Sequence, residues 1–88
     1  MNITQIKTKV LNVSIRSKKE KIFEGIAKSV SSQNDMGFFD ILPMHTNYVT
    51  LVSDFVIVDK GLATEKYVKL DKGIITVVSD IVKVYVGI

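Results

Sequence analysis

Cysteine and tryptophan are absent from this 88-residue chain, and it holds one proline and one histidine. Without cysteine there can be no disulfide and no thiolate metal site, a usage that fits a reducing compartment. With no tryptophan and only Tyr48, Tyr67 and Tyr85 as tyrosines, a concave ligand site has little aromatic lining to draw on. Long apolar runs are missing as well. Phe55-Val56-Ile57-Val58 is four residues long, against about 20 for a membrane-spanning helix. Lys7 and Lys9 precede Val10–Arg16, but polar residues break that segment and it cannot act as a signal-peptide core. The five glycines are scattered, none in a strand-to-helix glycine-rich loop, so no phosphate cradle is expected.

What is present suits one folded domain spanning residues 1–88. A hydrophobic content of 47% with 24% charged residues lies well clear of the disordered class. The formal net charge of +3 is a modest bias, and its only cluster, Lys18-Lys19-Glu20-Lys21, reads as a solvated turn. Nucleic acid is therefore not an expected partner.

Leu11, Val13 and Ile15 alternate with Asn12, Ser14 and Arg16, the period of a strand with one face in a core. A charged turn over Ser17–Lys21 follows, then a second extended region from Ile22 to Ser32 with Gly25 read as a bulge. Tyr48–Val52 and Phe55–Val58 are two further strands, with Asp54 marking the turn between them. Asp59-Lys60-Gly61, Asp71-Lys72-Gly73 and Ser79-Asp80 punctuate the rest. They separate strands at Tyr67–Leu70, Ile74–Val78 and Val82–Val86. Short strands at regular turn spacing, with no amphipathic helix, predict an all-β antiparallel sandwich or barrel.

Met36-Gly37-Phe38-Phe39-Asp40-Ile41-Leu42-Pro43-Met44-His45 interrupts the strands as an apolar loop, stiffened because Pro43 fixes its own φ and restricts Leu42. In an extended segment Phe38 and Phe39 point to opposite faces, which leaves one of them as an interface anchor. His45 is the only side chain suited to acid-base work near neutrality, with Asp35, Asp40, Thr46 and Thr50 nearby in sequence. No nucleophile motif surrounds it, and one imidazole with two spaced carboxylates does not match zinc or calcium spacing. A hydrogen bond from His45 to backbone, steadying the end of the loop, is the simpler expectation. No catalytic residue, metal or cofactor site is assigned.

Taken in order, Ile22-Phe23-Glu24-Gly25, Gly37-Phe38-Phe39-Asp40-Ile41-Leu42-Pro43-Met44-His45 and Leu70-Asp71-Lys72-Gly73-Ile74-Ile75-Thr76-Val77 resemble the epsilon subunits of F-type ATP synthases, from about Val10 to Ile88. The resemblance implies a flattened β-sandwich of about ten strands. It implies a non-catalytic central-stalk subunit that links the gamma subunit to the c-ring and couples proton- or sodium-driven rotation to ATP synthesis. Such a subunit needs no cofactor of its own. It sits peripherally on the cytoplasmic face of an energy-transducing membrane, or on the matrix or stromal side in a eukaryote. By the same resemblance Met36, Gly37, Phe38 and Phe39 touch the c-ring, while Ser17, His45 and Thr50 face gamma. The family's C-terminal helical hairpin is expected to be missing, since the chain ends where it would begin. Asp40 and Met44 stand where the family pattern has glycines. The rival expectation is a free-standing β-sandwich module that binds a small ligand.

Overall fold

The computed structural model describes residues 9–87; residues 1–8 and 88, which include Lys7 and both ends of the expected 1–88 domain, lie outside the described residues. Seven strands and no helix are found among them: β1 (Leu11–Arg16), β2 (Lys21–Ala27), β3 (Val30–Asn34), β4 (Gly37–Ile41), β5 (Tyr48–Val58), β6 (Lys66–Val78) and β7 (Ile81–Val86). They form one sheet of order β2-β1-β7-β6-β5-β3-β4.

The long β5–β6 hairpin serves two layers. One end of it, Tyr48–Ser53 with Lys72–Val78, carries β7, β1 and β2; the other, Asp54–Val58 with Lys66–Leu70, carries β3 and β4. The change falls at a register shift where Ser53 faces Lys72 but Asp54 faces Leu70, leaving Asp71 without an opposite number. Asp54, across from it, takes φ 75, and an extra residue such as Asp71 bends and twists a strand. The bulge also exchanges the faces of β6. Val68 and Leu70 are buried before it, Ile75 and Val77 after it. Both layers then bury their apolar residues in one core, with Val13, Ile15, Val82, Val84, Ile75 and Val77 from the first and Val30, Ile41, Val56, Val58, Val68 and Leu70 from the second.

Several expectations are corrected here. The Asp54 and Asp71-Lys72-Gly73 signals are the two sides of the bulge rather than turns, so four expected strands merge into two. Gly25 is not bulged: it pairs in register with Val13, and the irregularity lies at Ile22. A Cβ on Gly25 would stand 3.5 Å from the Phe23 ring, an ordinary van der Waals contact. The extended region 22–32 breaks at Lys28-Ser29 into β2 and β3, and Gly37–Ile41 is an edge strand paired with β3 rather than loop. The described strands number seven instead of about ten, and one pair, β1 with β7, is parallel. The Ser17, Asp59-Lys60-Gly61 and Ser79-Asp80 turns stand as expected.

One buried carboxylate ties the layers' ends. Asp59, 6% exposed, accepts hydrogen bonds from the Lys28 backbone N–H at 2.6 Å and from Thr64 Oγ1 at 2.6 Å, while its own N–H donates to the Ser29 carbonyl. Burial pushes its carboxyl up; the bonds from Thr64 and from the Lys28 and Ser29 backbone, with the Lys28 charge, outweigh that and hold it below the usual carboxylate range.

Candidate functional site

The hairpin β3–β4 turns through Asp35-Met36, where the Asn34 side chain accepts the Met36 N–H and Gly37 takes φ 116, a value that suits glycine. This geometry carries Met36 to the tip, 94% exposed, and sets Phe38 on the outer face at 80%. Phe39, next in the strand, points the other way. It packs on the core and meets the Tyr48 ring edge-on at 5.9 Å. Of the four residues expected at one contact, Met36, Gly37 and Phe38 share a surface and Phe39 braces it from behind.

Phe38 is the end of an aromatic series. Its ring lies 5.9 Å from that of Phe55, which stacks on Tyr67 at 6.1 Å and 21°. Registers across β4, β3, β5 and β6 explain it: Gln33 faces Phe38, Phe55 faces Lys69, and Ile57 links Ser31 to Tyr67. A groove of about 380 Å³ runs between these rings, with Ser31, Asp40 and Lys60 on its polar side. Sequence reasoning did not join Phe55 or Tyr67 to Phe38. They lie 17 and 29 positions further along, and only the strand order makes them neighbours.

Pro43 and Met44 hold the centre of a turn closed by the His45 N–H to the Leu42 carbonyl at 3.1 Å. Met44 takes φ 69, the left-handed conformation expected of a glycine there, and its N–H is held by Asp80 Oδ1 at 2.6 Å. Asp40, at the other family glycine position, lies within β4 and does not take positive φ. The His45 ring donates from Nδ1 to the Thr46 carbonyl at 2.7 Å and rests 5.5 Å from Tyr48. It therefore steadies the loop through backbone. Among the described residues no three His, Asp or Glu side chains converge as metal ligands.

Thr50 lies on the same end. Asn34 Nδ2 donates to Thr50 Oγ1 and to Tyr48 Oη, each at 3.0 Å, so Thr50 is turned inward as a brace between layers. Its neighbours Val49 and Leu51 point outward, 63% and 65% exposed. The register extends that outer face along Leu51, Ile74, Tyr85 and Arg16. Ser17 follows Arg16 and accepts the N–H groups of Lys19 and Glu20 in a tight turn beside Ile74 and Tyr85. Ser17 and Thr50 are thus three strands apart: Ser17 borders the outer apolar face, whereas Thr50 lies on the opposite side of the sheet beneath Val49 and Leu51. That face was not foreseen, because Val49 and Leu51 look no different in sequence from buried strand residues.

Residues 10–87 match the family described as the ATP synthase delta/epsilon chain, β-sandwich domain. No curated protein matches in sequence. Among solved structures, a chain of the Euglena gracilis mitochondrial ATP synthase OSCP/F1/c-ring assembly superposes with TM-score 0.78 at 12% identity, covering 97% of this chain and 54% of its own. A chain of the Tetrahymena thermophila mitochondrial ATP synthase central stalk and c-ring gives TM-score 0.67 at 11% identity, covering 92% and 66%. At such identity the likeness is one of fold, and this chain spans only about half to two thirds of those it matches.

Proposed function

The chain belongs to the ATP synthase delta/epsilon β-sandwich family, and from that premise we propose that it is a non-catalytic rotor subunit joining the gamma subunit to the c-ring. The family match over residues 10–87 carries this reading. A clamp of this kind needs a rigid scaffold with a few exposed anchors, and the two-layer core with its outward apolar groups supplies both. Met36, Gly37 and Phe38, braced by Phe39, would meet the c-ring. Ser17, His45 and Thr50 would frame the gamma contact, with Leu51, Ile74 and Tyr85 between them. Rotation driven by protons or sodium ions would then pass to the stalk, while nucleotide chemistry takes place on other subunits. The site would be peripheral to an energy-transducing membrane, on its cytoplasmic, matrix or stromal side.

Affinity purification of the tagged chain from gently solubilised native membranes tests the proposal. Gamma and c-ring are expected to co-elute, with the c-ring reduced for a folded Phe38→Ala variant. Recovery of neither from membranes that contain intact ATP synthase would overturn it. The ligand-binding alternative has no comparable support, since the family match over residues 10–87 does not point to it.

A further inference from the structure

Beyond the anchor at Phe38, the groove behind it has a specific chemistry. Three aromatic rings line it: Phe55 and Tyr67 stack nearly parallel at 21°, and the Phe38 ring is tilted 40° from that of Phe55. Ring faces are electron-rich and attract a cation laid against them. On the polar side stands the Asp40 carboxylate, and it is oriented. Ser31, 3% exposed, donates its hydroxyl to Asp40 Oδ1 at 2.5 Å. Among the described residues the one cation on that carboxylate is Lys60, whose Nζ stands 3.9 Å from the same Oδ1, with both side chains more than half exposed. No described residue bonds Oδ2. A pair so exposed and so long is worth little, which leaves a fixed carboxylate with spare acceptor capacity beside stacked rings.

We propose that this groove receives an arginine side chain of the partner that docks on Met36 and Phe38, its guanidinium laid on the Phe55 and Tyr67 rings and its N–H fork on Asp40. A guanidinium is planar, stacks on rings and pairs bidentately with a carboxylate, whereas an ammonium is a compact, strongly hydrated point charge that does neither. Phe38 belongs both to the groove wall and to the tip surface, so an occupant of one continues onto the other. The inference rests on the rotor reading for the identity of the partner, the c-ring. It makes Asp40, Phe55 and Tyr67 recognition residues, a role that no part of that reading requires. Lys60 becomes a competitor: it occupies the carboxylate until the guanidinium displaces it.

Two measurements on the 88-residue chain separate this inference from the rotor reading. In the first, amide NMR spectra are recorded with N-acetyl-arginine amide and, separately, with N-acetyl-lysine amide as probes. Saturable shifts at Ser31, Phe38, Phe55 and Tyr67 with the arginine probe, lost in Asp40→Asn, are expected. Equal response to the two probes, or an unchanged response in Asp40→Asn, overturns the proposal. In the second, c-ring retention on the tagged chain is compared among variants. Asp40→Asn and Tyr67→Ala should each weaken retention about five-fold, the size of one exposed cation–ring or charge pair. Lys60→Ala should strengthen it. Loss of retention in Phe38→Ala with no change in Asp40→Asn would refute the arginine site and leave the rotor reading standing. No c-ring retained by the unaltered chain would remove the rotor reading, and with it the partner named here.

Discussion

Asp59→Asn exchanges one carboxylate oxygen for an amide nitrogen at a site where both oxygens are in use, Oδ1 by the Lys28 N–H and Oδ2 by the Thr64 hydroxyl. The backbone should not object. Asp59 has φ 55, a conformation that asparagine shares with aspartate. What is lost is the charge on one acceptor and, at the other position, the acceptor itself, since an amide nitrogen only donates. Hydrogen bonds to an ionised group contribute roughly 1 kcal/mol more than neutral ones, so two such bonds put the loss at no less than about 2 kcal/mol. For a domain of this size that is about 8–16 °C in Tm. Urea unfolding at neutral pH measures it directly. The pH dependence adds a second requirement. The folded carboxyl titrates below its unfolded value, so its contribution is complete above the unfolded pKa of about 3.9 and disappears as pH falls through the lower, folded value. The unaltered chain and Asp59→Asn should therefore differ most above about pH 5 and converge on acidification. A difference under about 0.5 kcal/mol at neutral pH, or one that persists undiminished into acid, would refute the role given to this carboxylate.

Gly73→Ala should cost about 2 kcal/mol in the same assay, because the new Cβ would stand 2.7 Å from the Tyr85 carbonyl oxygen, a backbone atom that can retreat only by parting β6 from β7. Met44→Gly should stabilise by about 0.5–1 kcal/mol, since relief of the left-handed φ of 69 exceeds the added freedom of the unfolded chain; unfolding midpoints check this. Phe39→Ala should lose about 2 kcal/mol as a half-buried ring, whereas Phe38→Ala should stay within about 0.5 kcal/mol, and thermal melts of the two variants distinguish brace from anchor.

The strand content was legible because alternation survives in the segments that build the core. Leu11, Val13 and Ile15 are read as one buried face from sequence and are that in the fold. Turn chemistry was legible only where the chain reverses. Asp59-Lys60-Gly61 and Ser79-Asp80 end strands, but Asp54 and Asp71-Lys72-Gly73 carry the same residue types and merely bend them. Aspartate and glycine supply unusual φ to either purpose, and which one is served depends on whether a partner strand continues past them. The hairpin β3–β4 was read only in part: Val30–Ser32 fell within the extended region expected from Ile22 to Ser32, whereas Gly37–Ile41 was read as loop, since it is an edge strand held by pairing with β3 alone, and β3 in turn is fixed on its other side by β5 and by the Ser32 hydroxyl on the Phe55 carbonyl.

Composition, alternation and motif order therefore determined that the chain is all-β and which family it resembles, and they singled out Met36–His45 as the segment proposed for docking; these depend on local preference and on residues close in sequence. Tertiary structure decided that Phe38 is exposed while Phe39 and Thr50 act as braces, that Val49 and Leu51 form an outer face with Ile74 and Tyr85, and that Phe55 and Tyr67 wall the groove at Asp40. Each of these depends on which strands lie side by side and on which face of the sheet is covered. Strand order and layer closure are long-range outcomes of which strands pair, including the parallel β1–β7 pair and the bulge in β5–β6, and no local pattern encodes those pairings.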